Sequence, residues 1–425
     1  MYQKGGIPAL ISRLQQWSPR PFSEAIIFLY ATAAMLLNRP MISAALAVSW
    51  LFLPLAVVAA TIMNRWATRP LSILGVSLFA LFLAGHKTGE MFYWPMASLA
   101  YLPAAAALLF LFLTMIGSDE KRIETRVMQA VALVVLAASI EIGAMFVLAF
   151  VIGMIALNLA FRGERAATYW IIVPTLVAIE ILILLYNGRV TKGMELMGDP
   201  AIAHHFMQAL SHGIKAFAEA TFSLDGSSTD PASLILGSTS KFLFFIGAFF
   251  TVRAHRDTLR LSVIMLSAFS LACFGTAFLT ISAAMYQFGL LCCERHDTFR
   301  QCLILLGIAS AASAAAARGG LLSGQHQRGY LLILVAVFVA ISGSAKDLMS
   351  DYARYRDLEG ARIQNWRSGK SDGPSMTFLV PIPGRVVGGL VEPGGTYHMS
   401  NNPPVIPQGI MYIFHKSSVT IQPSS

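Results

Sequence analysis

About ten apolar stretches, separated by loops of alternating basic charge, constrain this chain more than any other feature. Hydrophobic residues make up 56% of the sequence and charged residues 12%, and the mean hydropathy is +0.64. A soluble protein of this size does not need so much apolar surface, so the bilayer is the expected solvent. The sequence therefore predicts an all-α polytopic membrane protein with about 10–11 transmembrane helices.

The predicted spans lie near residues 41–63, 70–85, 98–116, 127–140, 142–160, 168–186, 232–252, 261–282, 301–316 and 329–343. Several are shorter than the roughly 20 residues that a straight helix needs to cross a bilayer. Segment 22–37 has two interpretations, an eleventh span or a helix on the outer surface. Both interpretations leave the predicted orientations of the later spans unchanged.

The basic residues are distributed unevenly between two sets of loops. Twelve Lys/Arg fall in the short loops 61–70, 117–126, 161–167, 253–260 and 317–328, and six fall in the longer loops 86–97, 139–141, 187–231 and 283–300. The positive-inside rule places the first set in the cytoplasm and the second set outside. The net charge of +9 then reflects topology and contact with anionic lipid headgroups, and nucleic acid is not an expected partner.

Three regions follow from this reading. Residues 1–40 form an external or interfacial N-terminal segment, and residues 41–343 form the transmembrane core. The core includes the external loop 187–231, whose amphipathic run suits the membrane interface. Residues 344–425 form a small external α+β cap, with a helical stripe followed by short β-like runs at 377–380 and 410–414.

Two charged residues lie inside predicted spans, where they are costly. Glu180 lies in the span 168–186, and Lys241 lies in the middle of the next one. One interpretation is an ion pair between them. The other is that Lys241 faces a cavity and binds an anionic group such as a lipid phosphate, with Glu180 near the substrate.

The expected outer loops carry the other candidate residues. Glu90 is followed by Tyr93 and Trp94, and Glu141 lies in the next outer turn. Aromatic rings stack on sugars, and a carboxylate in apolar surroundings suits a general base, although an aromatic belt at the interface is the commoner use. Arg295 and Arg300 suit phosphate binding, with snorkelling or local pairing to acids as the alternative.

Motifs for metal binding, redox chemistry and nucleotide binding give little information about the function. His204, His205 and His212 lack a recognisable ligand spacing, so no metal site is predicted there. The cysteines Cys292, Cys293 and Cys302 lie where oxidation is possible. Nothing resembles a P-loop, a dinucleotide fingerprint or a nucleophile elbow.

Four motifs carry a family resemblance. They are Trp17–Phe22, Gly89–Trp94 with Tyr101, Ser139–Ala144 and, more weakly, the turn Glu294–His296. In these motifs the chain resembles the GT-C superfamily of polytopic membrane glycosyltransferases, in its bacterial branch that uses polyprenyl-phosphate sugars.

The resemblance implies transfer of a sugar from a polyprenyl-phosphate donor to a periplasmic glycan or lipid, at the outer face of a bacterial inner membrane. It implies Glu90 or Glu141 as the catalytic base. Lys241, Arg295 and Arg300 would bind phosphate, Tyr93, Trp94 and Glu180 would contact substrate, and a divalent cation is an optional cofactor.

The chain departs from the family pattern at its N-terminus. Family members carry an acidic motif in the first external loop, whereas the residues before the first secure span hold no Asp and only Glu24. Either that span and its acids lie upstream of Met1, or catalysis has been lost and the protein is a membrane assembly partner. A transporter or flippase for a glycolipid or other anionic substrate, with Glu180 and Lys241 at the midplane, is the further alternative.

Overall fold

The computed structural model describes residues 2–16, 19–37, 41–85, 88–117, 122–161, 169–192, 202–224, 231–259, 261–291, 293–318, 326–368, 373–380, 394–401, 411 and 416–423. The α-helices are α1 (Tyr2–Gln16), α2 (Pro21–Leu36), α3 (Ile42–Met63), α4 (Thr68–Ala84), α5 (Pro95–Gly117), α6 (Ile123–Ser139), α7 (Glu141–Ala160), α8 (Ile172–Lys192), α9 (Phe206–Phe222), α10 (Pro231–Ala254), α11 (Val263–Phe288), α12 (Glu294–Arg318) and α13 (His326–Ser368).

The all-α polytopic class is confirmed. In the described part of the chain, eight helical segments are long and apolar enough to cross a membrane, and Pro21–Leu36 and Ile172–Asn187 are shorter apolar helices. Each of the ten predicted spans falls on a helix. The protein is therefore a multi-pass membrane protein.

Helix α5 is the centre of the bundle. It is buried from Ala97 to Gly117, and it packs against α3, α6 and α12. Around it, α10 packs on α13 and α11 packs on α12 and α7. The polar ends of the surrounding helices consequently meet at the two ends of α5.

Helix α9 lies in the loop that the sequence predicts to be interfacial. Its small residues Ala209, Gly213 and Ala216 are buried, because α9 packs closely on α11 and a side chain at Gly213 would meet Ser282. Its large residues Phe206 and Ile214 remain exposed, at 65% and 55%. The small face therefore holds the helix to the bundle, and the large apolar face is available to lipid.

The last membrane helix does not end where the apolar stretch ends. Helix α13 continues from its apolar part, Gln327–Ala345, to Ser368 and contacts the first strand of a small sheet. That sheet contains β1 (Ser375–Val380), β2 (Gly395–His398) and β3 (Ser418–Pro423), with β3 in the centre, parallel to β1 and antiparallel to β2. The predicted run at 377–380 lies within β1, and the run at 410–414 lies outside the described residues except for Met411.

Candidate functional site

A cluster of charged and aromatic side chains lies at one end of the bundle, which we call the site face. It is formed where α2, α5, α7 and α12 begin and where the loop before α5 passes between them. These are the ends that the sequence predicts to lie outside the cytoplasm. Two carboxylate–arginine pairs and a buried tyrosine form its centre.

The first pair joins Arg20 to Glu141. Arg20 Nη2 lies 2.8 Å from Glu141 Oε1, and the two side chains are 23% and 12% exposed. Arg20 is the residue before α2, and the hydroxyl of Ser23 in the first turn donates to Ser139 O at 2.6 Å. This contact fixes the start of α2 against the end of α6. Burial disfavours the charged guanidinium, but Glu141 outweighs it and raises the pKa of Arg20 above its usual range.

A tight turn between α6 and α7 positions Glu141. Ile140 is extended and fully buried between the two helices, and Gly143 packs directly against the carbonyl oxygen of Leu136. A side chain at position 143 would collide with that backbone. The turn therefore requires glycine, and it presents Glu141 at the first position of α7.

The second pair joins Glu90 to Arg295. Glu90 Oε2 accepts hydrogen bonds from Arg295 Nη1 at 3.0 Å and from the backbone N–H of Arg295 at 3.2 Å. Glu90 is buried in a single π-helical turn, Gly89–Tyr93. The indole of Trp50, on α3, donates to Phe92 O at 2.6 Å and anchors this turn.

The aromatic residues after Glu90 lie at the opening of the cluster. Trp94 is 37% exposed and Tyr93 is 40% exposed. The Arg295 guanidinium carbon lies 5.4 Å from the centroid of the Trp94 ring, a cation–π distance. Burial raises the pKa of Tyr93, and the nearby Tyr352 of α13 raises it further. The extension of α13 thus brings Tyr352 close to this opening.

Tyr101 and His296 lie between the two pairs. Their ring centroids are 5.7 Å apart, and each interacts electrostatically with Arg20, Glu141 and Arg295. Tyr101 is 1% exposed. The Tyr101 hydroxyl lies beside the Arg295 side chain, but among the described residues neither this hydroxyl nor the buried Nε of Arg20 makes a hydrogen bond of normal geometry. Unpartnered polar groups in a charged cluster are sites for a ligand or an ordered water.

A third arginine lies one turn further along α12. Arg300 is 3% exposed, and its Nη1 lies 2.6 Å from Asp297 Oδ1. Its Nε and Nη2 lie 3.4 and 3.5 Å from the hydroxyl and carbonyl oxygens of Thr280. The local pairing that the sequence left open is therefore present, and it holds Arg300 beside His296.

No protein-family model, curated protein or solved structure matches this chain. The function must therefore be inferred from the geometry of the site. The likeness to the GT-C superfamily stays a prediction.

Lys241 does not join the cluster. It is 7% exposed, and its ammonium donates to Ala220 O, Ser223 O and Gln301 Oε1 at 2.9, 2.7 and 3.0 Å. These acceptors use the three donors of the group. In this arrangement Lys241 holds the C-terminal end of α9, and a phosphate would have to displace one of these three acceptors.

Glu180 is also separate from the cluster. Its side chain is exposed on α8, and no ion pair joins it to Lys241 in the described part of the structure. Glu180 and Lys241 thus do not form the ion pair that the sequence suggested as one alternative.

The remaining candidates can also be located. His204, His205 and His212 are exposed around α9, and the described residues contain no cluster of three metal-ligating side chains. Cys293 is disulfide-bonded and Cys302 is a free, buried thiol. Cys292 lies outside the described residues.

Four site residues were absent from the candidates that the sequence suggested. Arg20, Tyr101 and His296 lie within the motifs that carry the family resemblance, but nothing in the sequence joins them to Glu90 or Glu141. Trp50 lies in an apolar helix. A polar indole in the outer half of a span was the only available signal, and it does not identify a partner.

Proposed function

We propose that this protein is a membrane glycosyltransferase that moves a sugar from a polyprenyl-phosphate donor to a glycan or lipid acceptor. One observation carries the proposal: a buried tyrosine hydroxyl and a buried arginine Nε make no hydrogen bond of normal geometry among the described residues, and they lie between two carboxylate–arginine pairs. Such a site offers both anion-binding donors and a base to a substrate that arrives from the bilayer.

The phosphate of the donor would bind between Arg20 and Arg295. Guanidinium groups suit phosphate oxygens because their donors lie in a fixed plane. The Nε of Arg20 makes no hydrogen bond in the described structure, and the hydroxyl of Tyr101, which lies beside Arg295, is a second donor. The polyprenyl chain would remain in the apolar surroundings of the bundle.

Glu141 or Glu90 would act as the base. Each carboxylate is now paired with an arginine. A phosphate that competes for that arginine would release a carboxylate oxygen to accept a proton. The base then takes the proton of the acceptor hydroxyl, the acceptor oxygen bonds to the anomeric carbon, and the bond to the phosphate oxygen breaks. The polyprenyl phosphate leaves with the electron pair.

The sugar and the acceptor would lie at the opening. Tyr93 and Trp94 are half-exposed there, and Tyr352 approaches from α13. Aromatic rings at an opening provide flat apolar surfaces for pyranose rings while their polar edges stay hydrated. We further propose a bacterial inner membrane with the site face towards the periplasm, because the loops at the opposite face carry most of the loop arginines and lysines.

The test is transfer by purified protein in liposomes, with a panel of radiolabelled polyprenyl-phosphate sugars and with or without EDTA. Glu141→Gln and Glu90→Gln keep the size of the side chain but remove the base. We expect at least one of them to lose more than 100-fold in rate. Glu124→Gln, an exposed residue in the first turn of α6, is the matched control. Wild-type rates in both site variants would contradict the proposed base.

A further inference from the structure

A second feature lies at the opposite end of the bundle, which we call the basic-loop face. A groove of about 420 Å³ runs between α7, α11 and α12, lined by Leu157, Phe161, Val263, Ile264, Ser267 and Arg318. Phe161 is 60% exposed, so the groove is open to the surroundings of the bundle. Its wall is apolar apart from one hydroxyl and one guanidinium.

Arg318 differs from three other arginines of this face, which stack on aromatic rings. Arg122 stacks on Trp66, Arg69 on Tyr330 and Arg253 on Phe249. Arg318 is exposed at the end of α12, and in the described structure it has neither a carboxylate nor an aromatic partner. The positive charge of Arg318 interacts favourably with the C-terminal end of the helix dipole. That interaction does not explain why an apolar groove lies beside the side chain.

The side of the membrane adds a third observation. All the groove residues belong to helix ends next to the loops 161–167, 253–260 and 317–328, which the sequence predicts to be cytoplasmic. The cytoplasmic leaflet carries anionic lipid, and basic pockets between helices on that side bind lipid headgroups.

We propose that this groove binds an anionic phospholipid, with its phosphate against Arg318 and an acyl chain along the apolar wall. The guanidinium supplies charge and directional donors, and Ser267 adds a hydroxyl within the groove. The apolar side chains of α7 and α11 replace the contacts that the acyl chain would make with other lipids. This site is independent of the proposed transferase activity, because it uses different residues at the other end of the bundle.

The test is native mass spectrometry of protein stripped of lipid and titrated with phosphatidylglycerol or phosphatidylcholine of the same acyl chains. We expect wild-type protein to retain one phosphatidylglycerol about fivefold more strongly than one phosphatidylcholine, the ratio for one basic contact at a lipid surface. Arg318→Ala should abolish that ratio, and Arg318→Lys should keep most of it. Arg122→Ala removes one charge from the same face and should leave the ratio unchanged.

A second pair of variants tests the groove itself. Ser267→Phe fills the wall and should remove the retained lipid. Leu271→Phe adds bulk one turn further along α11, at a side chain that is 57% exposed and outside the groove, and should retain it. Equal retention of the two lipids by the wild type would overturn the proposal. So would a phosphatidylglycerol preference that survives in both Arg318→Ala and Ser267→Phe.

Discussion

The guanidinium of Arg20 lies 2.8 Å from the carboxylate of Glu141, with both side chains mostly removed from solvent. One residue precedes α2 and the other begins α7, so the contact exists only because α2 folds back onto the end of α6. Ser23 makes that contact possible through its bond to Ser139 O. The pair therefore joins the N-terminal segment to the candidate site.

Breaking this pair should destabilise the protein. Arg20→Met leaves the Glu141 carboxylate buried without its partner, and we expect the free energy of unfolding to fall by about 3 kcal/mol. Adding Glu141→Gln should recover most of the loss. Unfolding in mixed micelles of the wild type, both single variants and the double variant measures the coupling. Additive effects of the two substitutions would contradict a direct interaction.

The Tyr101 hydroxyl should matter for activity and not for folding. Tyr101→Phe keeps the ring contacts with His296 and Phe299 and removes a buried hydroxyl that makes no hydrogen bond of normal geometry in the described structure. We expect stability to be unchanged or raised by up to about 1 kcal/mol, and sugar transfer to fall by at least tenfold. Thermal unfolding and single-turnover transfer, measured on the same preparation, check both. A large loss of stability would show that the hydroxyl is structural.

Binding of the donor should depend on the planar guanidinium group of Arg295. Arg295→Lys keeps the charge beside Glu90 but loses the fork of donors and the stacking on Trp94. We expect the KM for the donor to rise about tenfold, equivalent to about 1.4 kcal/mol, while Tm changes little. Arg122→Lys is matched to it, because Arg122 also stacks on a tryptophan, Trp66, at the other end of the bundle. An equal KM effect in the control would remove the special role of Arg295.

The α6–α7 turn should not tolerate a side chain at position 143. In Gly143→Ala the added Cβ collides with the backbone of Leu136, so the turn must open and Glu141 must shift. We expect a loss of about 2 kcal/mol in stability together with lost transfer. Gly275→Ala, on α11, meets no atom within 4 Å and should gain or lose little. Thermal unfolding of the two variants distinguishes them, and similar Tm values would be the opposing result.

Lys241 should hold α9 to the bundle. Lys241→Met leaves the carbonyl groups of Ala220 and Ser223 without the ammonium that they now accept from. We expect faster hydrogen exchange in 206–222, because the C-terminal end of α9 loses its cap. Lys215→Met, at an exposed position of the same helix, is the control. Unchanged exchange with a selective loss of donor binding would support the phosphate-binding role suggested by the sequence.

The sequence predicted which polar residues lie together at one end of the bundle. Glu90, Glu141, Arg295 and Arg300 come from three loops that the alternation of charge places on one side, and they do lie at one end. Hydrophobic stretches and loop charge are local properties of the chain, so they can be read without knowing which helices touch.

The pairing of charges could not be read in the same way. Lys241 and Glu180 both lie inside predicted spans and look like partners in sequence, but α9 places its carbonyl groups against the lysine and α8 turns the glutamate outwards. Small residues on α9 allow this close approach. Which groups pair with Lys241 depends on the packing of three helices, so no periodic pattern in the sequence indicates it.

The sequence alone determined that this is a multi-pass helical membrane protein with its unusual acidic and aromatic residues at one end. The tertiary structure decided which carboxylate meets which arginine, and it placed the Tyr101 hydroxyl between the two pairs. The physical reason is one of range. Hydrophobicity fixes each span by itself, whereas an ion pair or a buried hydroxyl is defined by atoms a few ångströms apart that packing brings together from distant parts of the chain.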